Sequence, residues 1–238
     1  MSEETTAPSA PAAPTSKQID SVILRSYPKI VFLWPSFIVS LVAGIFMLFA
    51  GAAENAGTVV VSWTFLIVLS VNLVVLSFDF PRATSLTLFF VCVAVVLGAV
   101  LVIINFPDVL PAFTDLLKSI HPRANATFYL VFSTVMAIIF VGVAINARFD
   151  YWEVRPNELL HHHGVLSDLE RYPSPHLRIE KEINDVFEYM LLGSGRLILH
   201  PSSERRAIVL ENVFWISHKE NLITRLLGAL QVQVRENK

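Results

Sequence analysis

Thr58 to Phe78 reads TVVVSWTFLIVLSVNLVVLSF, with no Asp, Glu, Lys or Arg anywhere in it. A helix needs about 20 apolar residues to cross a hydrocarbon core of roughly 30 Å, and this stretch supplies them. A soluble helix of that length would carry a polar face; here the apolar residues run all round. Three more stretches read the same way: Ile30 to Ala50, Thr84 to Phe106 and Ala126 to Ala147. The charged residues between Ile30 and Ala147 are Glu54, Asp79, Arg82, Asp108, Asp115, Lys118 and Arg123, all placed between those runs. The chain as a whole is 54% hydrophobic and 16% charged, against about 25% charged for soluble domains. The deficit sits entirely in the first two thirds. After Arg148 the chain turns charged, so two solvents are written into it, lipid first and water second.

The loops set the expected orientation. Lys17, Arg25 and Lys29 precede the first span, Arg82 lies in the second loop, and Arg148 and Arg155 follow the fourth span. The first loop, Gly51 to Gly57, has no basic residue, whereas the third has Lys118 and Arg123. The balance predicts a multi-pass protein with both termini in the cytoplasm. In the third loop Val109, Leu110, Phe113, Leu116, Leu117 and Ile120 recur at helical spacing, predicting an amphipathic segment at about 107–121 that lies on the membrane surface or caps the bundle. Asn125-Ala126-Thr127 has the form of a glycosylation acceptor but abuts a span. Ser36, Ser40 and Gly44, Ala94 and Gly98, and Ser133 and Ala137 are small residues four apart, the spacing that lets helices approach in lipid. Asn72, the most polar residue at mid-span, is expected to hydrogen-bond a neighbouring helix rather than line a pathway, because intramembrane function is usually marked by ionisable groups.

Met1 to Ser16 is rich in Ala, Pro, Thr, Ser and Glu and lacks the apolar surface to fold. Residues 1–28 are therefore expected to form a disordered and juxtamembrane tail, residues 29–147 the four-helix domain, and residues 148–238 a small soluble domain. In the last part, Tyr151 to Arg155 and Leu159 to His163 read as a hairpin about Pro156-Asn157. Leu177 to Ile183 alternates apolar and charged residues, as a half-buried strand does. Arg196 to His200 and Arg206 to Leu210 are two further strands. Trp215, Leu222, Ile223, Leu226, Leu227 and Leu230 then fall on one helical stripe, with Ser217 as the expected N-cap.

Several residues in this region carry a family resemblance. They are Glu158-Leu159-Leu160 with His163-Gly164-Val165, Arg178-Ile179 with Ile183-Asn184-Asp185-Val186, Leu191 to Leu197, Ile208 to Val213, and Leu226-Leu227-Gly228. From Trp152 to about Leu230 the chain resembles the bacterial pleckstrin-homology (PH)-like domain found beside transmembrane helices. The resemblance implies a curved antiparallel sheet capped by a C-terminal helix, and no catalytic residues. With the expected orientation it implies the cytoplasmic (inner) membrane of a bacterium. The expected fold is thus an α+β membrane protein, a four-helix bundle followed by that domain. Eukaryotic PH domains bind phosphoinositides through cations in the first hairpin loop. Here the loop is Arg155-Pro156-Asn157-Glu158, and residues 148–238 carry 12 Lys and Arg against 13 Asp and Glu, which disfavours a polybasic lipid-head site.

The candidate chemistry is thin. His161, His162 and His163 are the most conspicuous cluster. In a strand His161 and His163 share one face, and His176 or His200 would have to complete a metal site. No second His pair or metal motif accompanies them, so neither metal nor cofactor is expected. Gly193-Ser194-Gly195 lacks the Lys and spacing of a P-loop and reads as a tight turn. Glu180 and Glu182, with Arg178, read as a solvated face. No nucleophile elbow is present and no enzyme is expected. Net charge is −2, which argues against nucleic acid. Cys92, the only cysteine, excludes an intrachain disulfide. What remains is an interaction or assembly module at the membrane surface, with the bilayer and a protein partner or second copy as its contacts. The alternative is a small oligomeric transporter or channel regulated by the soluble domain, with Asn72, Ser70 and Ser77 lining a path for a neutral solute.

Overall fold

The computed structural model describes residues 20–50, 55–78, 80–106, 111, 115, 122–164, 168–173, 177–202 and 206–236. The amphipathic segment expected at about 107–121 lies outside them except for Pro111 and Asp115, as does the tail before residue 20. Four helices are long and apolar enough to cross a bilayer: α1 (Trp34–Ala50), α2 (Ala56–Ser77), α3 (Arg82–Asn105) and α4 (Ala126–Phe149). A 3-10 turn at Lys29–Leu33 leads into α1. Pro35 accounts for it, having no N–H to give the carbonyl of Val31. That carbonyl takes the N–H of Trp34 instead, the tighter i to i+3 pattern. Side-chain caps start α2 and α4. Asn55 and Thr58 form a reciprocal capping box on α2. Asn125 Oδ1 accepts the Phe128 N–H at 2.8 Å on α4, so the glycosylation-like tripeptide is a helix start.

α1 packs against α4 and α2. The seam is polar and close. Asn72 donates to Ser36 Oγ at 2.9 Å, Ser40 and Ser133 share a hydrogen bond of 2.7 Å, and Tyr129 donates to Ser62 Oγ at 3.0 Å. Between these rungs Gly44 admits Leu130 so closely that a Cβ at Gly44 would stand 2.8 Å from Leu130 Cδ2. Small and hydroxylated residues do here what oily ones cannot, since lipid tails are as apolar as leucine. Phe65 adds edge contacts to Phe128, Tyr129 and Phe132. α3 makes no extended contact with another element among the described residues.

The strands form two antiparallel sheets. The first runs in order β1 (Val22–Leu24), β2 (Tyr151–Val154), β3 (Glu158–His163), β4 (Asp168–Pro173). The second is β5 (Arg178–Glu182), β6 (Gly195–His200), β7 (Ile208–Val213). A short helix α5 (Val186–Leu192) joins β5 to β6, and α6 (Ile216–Glu236) closes the domain. Leu24, Val154, Leu159, Leu197, Leu199 and Ile223 are fully buried in one core that α6 completes with Ile216 and Leu226. Two local expectations need correcting. Ser217 lies inside α6, which begins at Ile216, so it is not the cap. Trp215 leaves the apolar stripe and is exposed.

A larger correction concerns residues 1–28. Val22 to Leu24 are not tail but the edge strand of the first sheet, paired with Val154, Glu153 and Trp152. Val22 and Leu24 enter the core, while α6 secures the strand, Lys219 donating to the carbonyl of Ile23 at 2.9 Å. The soluble domain is therefore discontinuous, with all four apolar helices inserted between its first and second strands. Pairing β1 with β2 requires an even number of crossings between them, and four satisfies it.

Candidate interaction surface

Three features lie where the two halves meet or where the soluble domain faces outward: a clamp at α5, a histidine row on β3, and an exposed patch at Trp215.

The clamp centres on Asp185. Its Oδ1 accepts the N–H groups of Phe187 at 2.7 Å and Glu188 at 3.0 Å, capping α5. Its Oδ2 accepts the N–H of Phe80, in the connection between α2 and α3, at 2.7 Å. The carbonyl of Phe80 accepts the Val186 N–H at 3.2 Å, so both backbone groups of Phe80 are taken by one turn of the soluble domain. The Phe80 ring meets Phe187 edge-on at 5.2 Å, and Lys29 pairs with Glu188 at 3.4 Å. Beside it the chain between β1 and α1 leans on the end of β7. A bulge there, marked by the register step between Gly195 and Leu197 and by a left-handed Asn212, turns Asn212 Nδ2 toward the carbonyl of Tyr27, 2.9 Å away. Tyr27 stacks on Phe214 at 4.1 Å. These contacts put the α2–α3 connection on the domain's side of the bundle.

The histidines alternate as a strand requires. The His161 ring stacks on Trp152 at 4.0 Å and lies 5.1 Å from His163. Its nitrogens face Asp150 at 3.1 Å and Glu170 at 3.6 Å. His162, on the other face, stacks on Tyr151 at 4.5 Å and faces Glu153 at 3.4 Å. Partial burial pushes the Glu153 carboxyl up, but hydrogen bonds from Arg155, Ser21 and His162 outweigh it and hold it below the usual carboxylate value. Hydrogen bonds from Tyr172 first and His161 second lower Glu170. His200 belongs to the other sheet and faces Glu180 at 3.7 Å. His176 lies outside the described residues. Among the described residues no three His, Cys, Asp or Glu side chains are grouped to hold a metal ion. His161 and His162 are instead stacked on aromatic rings and face carboxylates, and His163 stacks on His161.

The patch lies beside the clamp. Gly193 ends α5 in the left-handed conformation, as the expected tight turn. Trp215 follows β7 and also has a left-handed backbone, φ 53°, with its ring over Gly193. It is 67% exposed, and Met190 on α5 is 70% exposed, with Tyr189 near by. Glu180 and Glu182, expected on a solvated face, pair with Arg178 and Arg196.

Sequence reasoning missed the clamp and the exposure of Trp215. Asp185 was legible, since Asp185 with Glu188 three residues on marks a helix start. Its bond to a residue 105 positions earlier was not. Comparison with family models, with curated proteins and with solved structures finds no match to this chain.

Proposed function

We propose that this protein is a membrane-anchored interaction module. In this reading four transmembrane helices hold a PH-like domain at the cytoplasmic face of a bacterial inner membrane, and the domain recognises a protein partner through the surface around Trp215. The observation that carries it is Trp215 itself. A left-handed backbone at a bulky residue costs on the order of 1 kcal/mol, and exposing an indole forfeits its burial. The backbone cost is partly offset, since the Trp215 N–H reaches the Leu192 carbonyl at 3.4 Å and the Ile216 N–H the Gly193 carbonyl at 3.0 Å. The exposed indole has no such return, and aromatic residues with exposed methionines beside them are typical anchors of interfaces.

Other features support the remaining parts. Four strands plus three with a closing C-terminal helix suit a PH-like domain. Arg25, Lys29, Arg82, Arg148 and Arg155 all belong to the domain's side of the bundle, which favours a cytoplasmic placement. The clamp at Asp185 would keep the recognition surface at a fixed height and raise its local concentration at the membrane. Arg155 already pairs with Glu153 at 2.9 Å, which argues against that hairpin loop as a phosphoinositide site. The transport alternative lacks comparable support, because Asn72 spends its amide on Ser36 while Ser70 and Ser77 are exposed on α2.

Affinity purification of the full chain in mild detergent, beside Trp215→Gly and Met190→Asp, tests the proposal. A protein retained by the natural chain and lost from both variants, with melting temperature unchanged or raised in Trp215→Gly, is the expected result. Equal retention by all three would refute it.

A further inference from the structure

At the end of the bundle away from the soluble domain, α1, α2 and α4 leave a cavity of about 1030 Å3. Its walls are apolar, with Met47, Phe65, Leu66 and Leu69 among them. Its rim is polar and includes Arg123, Asn125 and Thr127, where α4 begins. A second hollow of about 490 Å3 shares Asn125, Thr127 and Phe128 and continues down α4 past Val131, Phe132 and Val135. The two hollows adjoin at these shared residues, and the α4 surface they expose is polar at the start of the helix and apolar along it.

The dimensions identify the class of occupant. From Asn125 to Val135 α4 rises about 15 Å, at roughly 1.5 Å per residue. That is half of a hydrocarbon core of about 30 Å, the depth of one leaflet. A lipid with its head at Arg123 would lay one acyl chain along the groove and end it near the bilayer middle. A guanidinium donates two parallel N–H groups to a phosphate, and the start of a helix carries partial positive charge. Both favour an anionic head.

We propose that this cleft binds one anionic phospholipid of the leaflet opposite the soluble domain. Arg123 holds the phosphate, and the groove past Phe128, Val131 and Val135 holds a chain. The site is independent of the recognition surface at Trp215, and either can fail without the other.

The test uses the full chain, purified in detergent, mixed with phosphatidylglycerol or phosphatidylcholine at equal concentration and read by native mass spectrometry. One phosphatidylglycerol is expected to persist at collision energies that strip phosphatidylcholine. Arg123→Gln should weaken that retention about tenfold, the loss of a charge-assisted contact, and Arg123→Lys should restore part of it. Val131→Trp, which fills the groove and leaves the rim intact, should also lower it. Circular dichroism should show each variant folded at the temperature of the measurement, so that lipid loss is read on intact protein. Equal retention of both lipids would reveal only annular contact and overturn the site, as would retention unaffected by both Arg123→Gln and Val131→Trp.

Discussion

α1 and α3 are both apolar enough to cross a bilayer, yet they are used in opposite ways. The span containing α1 has a mean hydropathy of 2.3, and about 39% of its most apolar stretch is buried against the rest of the protein. For α3 the mean hydropathy is 2.8, and none of its described residues is buried. The more hydrophobic helix is the less buried one, the reverse of a soluble core. The reason is that apolar side chains gain nothing by leaving lipid for protein, whereas small residues and hydroxyls gain contact and hydrogen bonds. α1 has Ser36, Ser40 and Gly44 on one face, and each meets a partner on α2 or α4. α3 also carries a small pair, Ala94 and Gly98, yet a Cβ at Gly98 would meet nothing within 4 Å.

The sharpest way to break this contrast is to enlarge the two glycines. Gly44→Leu should cost about 3 kcal/mol, because overpacking against Leu130 forces the helices apart. Gly98→Leu should stay within about 0.5 kcal/mol of the natural chain, as surface substitutions do. Thermal unfolding of both in one detergent measures the difference, and equal losses would mean that α3 is packed. Asp185→Ala comes next, at about 2 kcal/mol, since it removes a helix cap and leaves the N–H of Phe80 without its acceptor. Asp185→Asn should recover part of it, and a protease-accessibility assay of the α2–α3 connection should show the joint opening. Ser40→Ala should cost less, about 0.6 to 1 kcal/mol, as interhelical hydrogen bonds in membranes do. Its partner Ser133→Ala should add little on top, because the two share one bond.

The smallest effect belongs to the soluble side. Glu153 and Glu170 both titrate lower in the folded protein than the ordinary carboxylate value of 4.5. A depressed carboxylate contributes stability that is present above its unfolded value and lost as pH falls through the folded one. The melting temperature should hold between pH 7 and 5 and decline below about 4.5. Glu153→Gln should flatten that decline, and an unchanged slope would show that the carboxylate is not held by its neighbours.

How much could be read in advance follows the same physics. Four spans were legible because length and apolarity alone define them, and the bounds of α2 and α4 lie within two residues of expectation. Asn72 was rightly expected to bond a neighbouring helix. The small-residue spacing did not separate α1 from α3, because it states who could approach and not who does. In the soluble part β2, β3, β5, β6 and β7 overlap expected strands, but β4 reads DLERYP and has no clean alternation. α5 is shorter than two turns, too short for a helical period. β1 is three residues whose pairing partners lie beyond all four apolar helices. Nothing local could announce it. The histidines, most conspicuous in the sequence, settle into ring stacks, two of them facing carboxylates. The patch at Trp215 depends on a backbone conformation that no periodicity encodes.

The discontinuous domain is the claim on which the joint and the recognition surface both rest, and two soluble fragments test it. One is residues 148–238 alone. The other joins residues 20–27 through a flexible Gly-Ser linker to residues 150–236. Since Val22 and Leu24 fill the core and β1 covers an edge of the first sheet, the joined fragment should unfold cooperatively on heating and the shorter one should not. A shorter fragment that melts cooperatively at the same temperature would contradict the account, because β1 would then be an appendage and not a strand of the domain.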